Sequence, residues 1–308
     1  MNLKPFVDAI EKQRLKTEGI IVLQQGRETG RFFWAPDCRR NVRSVAKSFA
    51  SVAVGMAIDE GKLSLNDKIT SVLAPEWQAV NNKVACTQVA SNQVACNQVA
   101  SNLWNSLTLE HLLTMTMGHA ELSRPRTLEE ALSYKLTRKP GTVFSYDNTC
   151  TFLASAMLTK ASGLTMRDYL LERLFRPLGI PDPEWAESSD AYTIGSTGLF
   201  LSTAEMAVFG QFLLRKGNWE GKQLVSAAWI DEATRSHAPA REGSPWYSLG
   251  YGYHFWISPN GAFRCDGRGG QFIIVFPALD AVAAINSDEE DMAGILKTLW
   301  DKVLPELY

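Results

Sequence analysis

The chain has 308 residues, of which 45% are hydrophobic and 21% are charged, and its formal net charge is −2. A chain of this length can bury a large core in one domain or two, and its near-neutral charge argues against a nucleic-acid partner. No run of about 18 apolar residues is present, so the sequence predicts neither a membrane-spanning helix nor a membrane partner.

The first forty residues predict an amphipathic helix followed by a β-hairpin. The helix is expected over residues 3–15, and it lacks the uninterrupted apolar core of a signal peptide. Together with five scattered cysteines, an odd number, this pattern favours reduced thiols and a cytoplasmic protein. A strand is expected at Gly19–Leu23, a turn from Gly26 to Gly30, and a returning strand at Arg31–Trp34.

The stretch from Ser44 to Glu60 predicts one helix that is apolar on nearly every face, as helices buried inside a sizeable protein are. Gly61 suits the position just after its end. Ser44 and Lys47 lie one turn apart and therefore project on the same face. A buried and partly neutral amine can take the proton of a serine hydroxyl, which is otherwise a poor nucleophile. Alone, the pair has a second interpretation, a lysine that reaches the surface from a core helix.

A five-residue repeat follows a turn and a short segment, Ile69–Leu73, which Pro75–Trp77 is expected to end. The repeat runs from Lys83 to Asn102 with Val-Ala at the same place in each unit. A period of five keeps no constant apolar face on a helix or on a strand. The repeat is therefore expected to be a flexible surface insertion. A short ordered coil and a partner-binding segment remain as alternatives.

The middle of the chain predicts further helices with recognisable ends. A loop at Pro140-Gly141 should precede Tyr146. The four histidines include no His-Glu-x-x-His pattern and no cysteine pair has ligand spacing, so no metal site is expected, and each histidine should lie at the surface or cap a helix. The expected helices are Leu107–Met117, Thr149–Ala161 with Gly163 after its end, Leu164–Leu174 stopped by Pro177, and Thr203–Lys216 capped by Ser202 or Thr203.

From Gly250 the pattern changes to short strands separated by Gly, Pro and Asn turns, which is typical of an antiparallel meander. No linker divides the chain. A single domain over 1–308 is expected, with a sheet region of about 1–40 and 245–308 and a helical region of about 44–240. The expected strands are Tyr251–Ile257, Gly261–Arg264, Gln271–Phe276 and Ala281–Ile285, and a closing helix is expected over Asp291–Leu304.

Two later motifs accompany the Ser44-x-x-Lys47 pair. Tyr146-Asp-Asn148 comes about a hundred residues on, and Arg268-Gly-Gly-Gln271 lies near the C-terminal end. Singly, a tyrosine before a core helix is commonly structural, and Gly-Gly is commonly a hairpin turn. In this order the three motifs resemble those of the penicillin-recognising serine hydrolases, in the branch of class C β-lactamases and family VIII esterases. Supporting phrases are Leu112–His119, Leu174–Ile180 and Gly198–Thr203, and the resemblance covers about residues 15–290.

The resemblance implies an α/β (α+β) fold of the β-lactamase/transpeptidase type, an antiparallel sheet flanked by terminal helices with a helical subdomain. It implies that Ser44 is the nucleophile. Lys47 and Tyr146 would share the general-base and general-acid work, and which of them is the acylation base is left open. Asn148 would hydrogen-bond either Lys47 or the substrate carbonyl.

The third motif carries implied roles in substrate binding. The backbone N–H groups of Ser44 and Gln271 would form the oxyanion hole, and Gly269 and Gly270 would let substrate approach the strand edge. Arg268 would supply positive charge near Tyr146. β-Lactamases carry Lys-Thr-Gly where this chain has Arg268-Gly-Gly, and the missing threonine hydroxyl removes one ligand for a β-lactam carboxylate.

The sequence therefore predicts a serine hydrolase that acts through an acyl-enzyme on an ester or amide. It predicts no cofactor, and a small-molecule or short-peptide substrate is the expected partner. One alternative is a weakly active or inactive penicillin-binding or sensing module with the repeat as an interaction arm. Another is a genuine β-lactamase or a D-amino-acid peptidase. The natural substrate and the oligomeric state stay open.

Overall fold

The computed structural model describes residues 1–88, 102–119, 122–239 and 244–308. The strands are β1 Thr17–Gln24, β2 Arg27–Phe33, β3 Arg40–Asn41, β4 Phe200–Leu201, β5 Asn218–Trp219, β6 Lys222–Gln223, β7 Trp256–Ile257, β8 Phe263–Gly267, β9 Gln271–Phe276 and β10 Ala281–Ser287. The helices are α1 Lys4–Gln13, α2 Ala46–Asp59, α3 Ile69–Val72, α4 Ala74–Gln88, α5 102–106, α6 Leu109–Leu113, α7 Leu128–Ser133, α8 Asn148–Ser162, α9 Met166–Leu170, α10 Thr203–Leu214, α11 Ala227–Ala233 and α12 Met292–Lys302.

A six-stranded antiparallel sheet brings the two ends of the chain together. Its strand order is β2-β1-β10-β9-β8-β7, with Ile20 of β1 opposite Ile285 of β10. The strands from β7 to β10 form the predicted meander. Side chains alternate across an antiparallel strand, so Ile285 joins the core formed with α1 and α12, while Val282 joins the core that contains α10. The antiparallel sheet with the terminal helices against it has the architecture that the resemblance implies.

Helix α2 lies in the core that also contains α10, and it packs against α8. All of its residues from Ala46 to Ala57 are buried, as the apolar pattern predicts. Gly61 follows its end with φ 68°, the left-handed conformation that favours glycine. The buried helix gives the residues at its N-terminal end a fixed position.

Helix α10 belongs with the sheet, although its sequence position suggests the helical region. It packs on β10, β9 and β1, and its N-terminus has the predicted cap, Ser202 with Glu205 in a capping box. A Cβ atom at Gly210 would overlap the side chain of Val282. This close approach of helix to sheet depends on tertiary packing, which local patterns do not reveal.

Several predicted elements are shorter in the structure because backbone with positive φ interrupts them. The expected strand Tyr251–Ile257 reduces to β7, since His254 has φ 64°. The expected helix Leu107–Met117 reduces to α6, since Met115 has φ 57°. By contrast, β2 begins earlier than predicted, because the N-terminal hairpin turns at Gln25-Gly26, both with positive φ.

The segment that leads into the repeat is helical, which the sequence did not predict. Pro75–Trp77 does not end a segment but lies in the first turn of α4, where proline is tolerated because its missing N–H needs no partner. The backbone is helical to Gln88, so the first repeat unit continues α4. Residues 89–101 lie outside the described residues, and the predicted flexible insertion stays a prediction there. Among the described helices none has the length and hydropathy to cross a membrane.

Candidate active site

Ser44 lies in a short 3₁₀ turn, Arg43–Val45, that leads into α2. The predicted single helix from Ser44 is therefore wrong by one turn. The Asn41 side chain holds the turn in place: its Oδ1 accepts from the backbone N–H of Arg43 at 2.9 Å and from that of Gly198 at 3.2 Å. The turn and the half-buried Ser44 are thus anchored to the chain just before β4.

Lys47 extends from the first turn of α2 to the Ser44 hydroxyl. It is 1% exposed. Its Nζ donates to Ser44 Oγ at 3.0 Å, to Asn148 Oδ1 at 2.7 Å and to the carbonyl of Ser196 at 3.0 Å. Three acceptors match the three N–H bonds of an ammonium group. The lysine therefore does not reach the surface, and the snorkelling interpretation is wrong.

Burial lowers the pKa of Lys47 to about 7. The positive charge of Arg124 lowers it further, while the side chains of Cys150 and Asp147 act in the opposite direction. A lysine with a pKa near 7 is partly neutral at neutral pH, because burial disfavours the charged form. Its neutral Nζ can accept the proton of Ser44 Oγ across the 3.0 Å hydrogen bond.

Tyr146 and Asn148 reach the same place from the start of α8. Their neighbour Asp147 caps this helix by accepting from the N–H of Thr149 at 3.1 Å. The Tyr146 ring lies 4.9 Å from Lys47 Nζ and stacks on Trp256 at 5.7 Å between centroids. The structure thus brings together the four predicted catalytic residues Ser44, Lys47, Tyr146 and Asn148.

Gly267, at the end of β8, lies against the Ser44 turn. A Cβ atom there would overlap the carbonyl oxygen of Val42 and contact Arg43 at 3.3 Å. Strand β7 pairs with Phe263 and Arg264, so the end of β8 extends past β7 towards the turn. This contact between β8 and the Ser44 turn has no local signal in the sequence, which predicts only that Gly269 and Gly270 let substrate approach the strand edge.

The predicted third motif divides between two sides of the β8–β9 hairpin. Arg268 and Gly269 line the same cleft as Ser44. Gly270 and Gln271 are not among the residues that line this cleft, and their predicted substrate contacts stay predictions. A Cβ at Gly270 would overlap Ser287, and the buried Gln271 side chain donates to the Ser287 carbonyl. The physical reason is the turn itself: Gly269 and Gly270 both have positive φ, 88° and 79°, and reverse the chain.

The cleft in front of Ser44 has a volume of about 690 Å³. Three arginines line it, Arg43, Arg124 and Arg268, and within the described residues no acidic side chain forms an ion pair with them. The acidic segment 288–290 lies on the cleft as well. Only Arg268 was predicted. Arg43 could have been predicted from the sequence, because it directly precedes Ser44. Arg124 and the carbonyl of Ser196 could not, because they are far from Ser44 in the sequence.

A buried ion pair supports the aromatic neighbours of Tyr146. Arg264 is fully buried, donates from Nε to Asp266 Oδ2 at 2.9 Å, and also binds Ser258 Oγ at 2.8 Å. Its guanidinium lies 5.9 Å from the Trp256 ring centroid. Burial raises the pKa of Asp266, and Arg264 opposes this rise. The pair therefore fixes Trp256, on which Tyr146 stacks.

Of two histidines near the predicted helix Leu107–Met117, one lies where the sequence predicts and the other does not. His111 caps α6 by accepting from the N–H of Thr108 at 3.1 Å, as expected. His119 is neither exposed nor a cap, because its side chain, 11% exposed, lies 3.1 Å from Asp147 Oδ2. No group of three or more potential metal ligands occurs in the part of the chain that the structure describes.

Replacing Gly267 with Ala is expected to lower kcat about ten- to a hundredfold. The new Cβ must displace the Val42 carbonyl, and a shift of the Ser44 turn by a fraction of an ångström misplaces Ser44, the predicted nucleophile. Turnover of a nitrophenyl ester, measured with the melting temperature as a control for folding, checks this result. An unchanged kcat in a fully folded variant would contradict it.

Comparison with known proteins gives one family and a shared fold. The family model described as Beta-lactamase matches residues 7–304. A β-lactamase of Escherichia coli is 26% identical over 55% of this chain and 43% of its own length. The lovastatin esterase of Penicillium rubens is 26% identical over 46% of this chain and 38% of its own length. These matches cover less than half of either relative.

Among solved structures, a β-lactamase from Mycobacterium bovis has a TM-score of 0.70 and 20% sequence identity. The match covers 98% of this chain and 99% of that one. At this identity the likeness shows the fold alone.

Proposed function

We propose that this chain, which belongs to the β-lactamase family of hydrolases, is a serine hydrolase that cleaves an ester or amide through an acyl-enzyme. One observation carries the proposal: Lys47 Nζ lies 3.0 Å from Ser44 Oγ, and burial lowers the pKa of that lysine to about 7. A neutral amine at this distance turns a weakly nucleophilic hydroxyl into an attacking one.

Acylation begins when the neutral Lys47 Nζ takes the proton of Ser44 Oγ while Oγ bonds to the substrate carbonyl carbon. The tetrahedral intermediate then collapses, and the leaving oxygen or nitrogen receives a proton from Lys47 or Tyr146. Water attacks the remaining ester on Ser44, releases the acid and restores the hydroxyl. The 3.0 Å contact of Lys47 Nζ with Ser44 Oγ supports Lys47 as the acylation base.

The negative charge of the intermediate needs two N–H donors. One is the N–H of Ser44, as the resemblance implies. We assign the second to Arg268 in place of Gln271. This assignment is supported by the cleft, which Ser44 and Arg268 line together, and by Gly267, which brings the end of β8 against the Ser44 turn.

The acidic segment 288–290 offsets the three arginines in the overall charge of the cleft, but the arginines form no ion pair with an acidic side chain among the described residues, so each can bind an anionic group of the substrate. A guanidinium offers a planar pair of donors that matches a carboxylate. The substrate class is thus a small-molecule or short-peptide ester or amide that carries a carboxylate. The alternative of a weakly active or inactive sensing module is disfavoured by the intact set of groups, since Lys47 Nζ contacts both Ser44 Oγ and Asn148 Oδ1.

A fluorophosphonate probe tests the proposal by forming a covalent bond with an activated serine. Mass spectrometry of the digested protein should find one label, on the peptide that contains Ser44. The matched control is Ser51→Ala, in the same helix, whose buried hydroxyl has no hydrogen-bond partner among the described residues. This variant should label normally. Labelling that persists in Ser44→Ala would overturn the proposal.

Replacing Arg268 with Ala is expected to raise KM for an acidic ester by roughly thirtyfold, as for the loss of a charged hydrogen bond of about 2 kcal/mol. A neutral ester of the same size should change less than about threefold. Arg126→Ala, which removes an exposed positive charge that does not line the cleft, is the matched control. Equal losses with both esters would show that Arg268 does not bind the carboxylate.

A further inference from the structure

The carboxylate of Asp147 does more than cap α8. The side chain is 1% exposed. Its Oδ1 accepts from the N–H of Thr149 at 3.1 Å and from the N–H of Ser123 at 3.0 Å, and its Oδ2 lies 3.1 Å from His119 Nδ1. The first hydrogen bond belongs to the helix cap. The other two connect the start of α8 to a segment more than twenty residues earlier in the chain.

Ser123 is hydrogen-bonded to Asn148 as well as to Asp147. Its carbonyl accepts from Asn148 Nδ2 at 3.2 Å, while Asn148 Oδ1 accepts from Lys47 Nζ at 2.7 Å. A protonated lysine can only donate and a carbonyl can only accept, so one orientation of the Asn148 amide satisfies both neighbours. The orientation that serves Lys47 therefore depends on where Ser123 lies.

Contacts on two sides hold the His119 ring, which in turn helps to fix the position of Ser123 through Asp147. Its ring stacks on Tyr134 with 5.1 Å between centroids and 13° between planes. Facing a carboxylate, Nδ1 is satisfied when it carries the proton and donates to Asp147 Oδ2. Arg124, the residue after Ser123, lines the cleft. The same connection thus holds a cleft arginine in place.

We infer that His119 and Asp147 are a pair of positioning residues that hold residues 122–124 against the active site and so orient Asn148 towards Lys47. Neither residue needs to touch substrate. The inference rests on the proposed serine chemistry, in which the Lys47 Nζ must stay aimed at Ser44 Oγ.

The test compares two replacements of the histidine. His119→Leu removes the donor, whereas His119→Asn keeps an N–H close to the position of Nδ1. For a neutral nitrophenyl ester, His119→Leu should lower kcat about tenfold with KM changed less than twofold. His119→Asn should restore kcat to within about threefold of the original chain. Activity is normalised to the fraction of Ser44 labelled by fluorophosphonate, which corrects for any misfolded protein.

A double-mutant comparison separates positioning from a general loss of structure. If His119 acts through Asn148, the Leu replacement should cost little further activity once Asn148→Ala is present. Additive losses would overturn the inference, as would equal kcat in the Leu and Asn variants. A merely structural role would lower both variants alike.

Amide hydrogen exchange gives a readout that does not depend on catalysis. The Ser123 N–H is bonded to Asp147, so it should exchange slowly in the original chain and in His119→Asn, and at least tenfold faster in His119→Leu. Unchanged exchange in the Leu variant would overturn the positioning pair. Failure of the proposed function looks different: Ser44 would remain unlabelled by the probe in the original chain.

Discussion

Replacing either Ser44 or Lys47 with Ala is expected to lower kcat by about four to six orders of magnitude, and the double variant should be no worse than either single one. The two groups share one hydrogen bond of 3.0 Å and act in one proton transfer, so removing the second after the first takes nothing further away. Ester turnover by purified single and double variants, with fluorophosphonate labelling of Ser44, provides the measurement.

The decisive control is Lys47→Arg. Arginine keeps the positive charge but is not deprotonated in proteins, so it cannot take the proton of Ser44 Oγ. This variant should be nearly as inactive as Lys47→Ala. Substantial turnover by Lys47→Arg would mean that the lysine acts only through its charge, and the assigned base would be wrong.

The same lysine determines the expected pH dependence. Its pKa is lowered to about 7, mainly by burial, and the neutral form is the active one in the proposed mechanism. Activity should therefore rise with pH and level off above about 7, with roughly a tenfold loss for each pH unit below it. The charge of Arg124 contributes to the lowered pKa, so Arg124→Gln should move the midpoint to higher pH. A flat profile between about pH 5.5 and 8.5 would contradict the assignment.

Replacing Asp266 with Ala is expected to lower the free energy of unfolding by about 3–5 kcal/mol, because it leaves the guanidinium of Arg264 buried without its counter-ion. Arg264 is fully buried, so water cannot take the place of the lost carboxylate. For a chain of 308 residues the loss corresponds to a melting temperature lower by roughly 5–8 °C. Denaturant unfolding followed by tryptophan fluorescence measures the change.

A paired replacement is the control for this result. Arg264→Met combined with Asp266→Leu removes both charges together and should cost clearly less than Asp266→Ala alone, since no unpaired charge stays buried. Activity should also fall in Asp266→Ala, because Arg264 lies beside the Trp256 ring that supports Tyr146. A double variant as unstable as the single one would show that packing, not charge, stabilises this region.

Much of the architecture follows from local patterns. The apolar character of α2 predicts its burial, the Ser202 and Glu205 pair predicts the start of α10, and the apolar run Gln271–Phe276 predicts β9. The pairing of Ser44 with Lys47 is local too, since three residues of helical backbone bring them to the same side. These features depend on neighbours within a few residues, so the sequence alone determines them.

Local patterns did not predict which side of the hairpin each residue of the third motif faces. Its four residues are contiguous, but the turn at Gly269 and Gly270 sends Arg268 to the cleft and Gln271 to Ser287. Which side each residue faces depends on how β8 pairs with β9 and β10, and that register is a property of the assembled sheet.

Only the tertiary structure decided how Lys47 is surrounded. The carbonyl of Ser196 and the Asn148 amide reach Lys47 from points 149 and 101 residues further along the chain, and the turn at Ser44 contacts Gly267. Burial by these elements is the main cause of the lowered lysine pKa. The sequence by itself determined which residues could do the chemistry, whereas the protonation of Lys47 depends on removing water, which only long-range packing accomplishes.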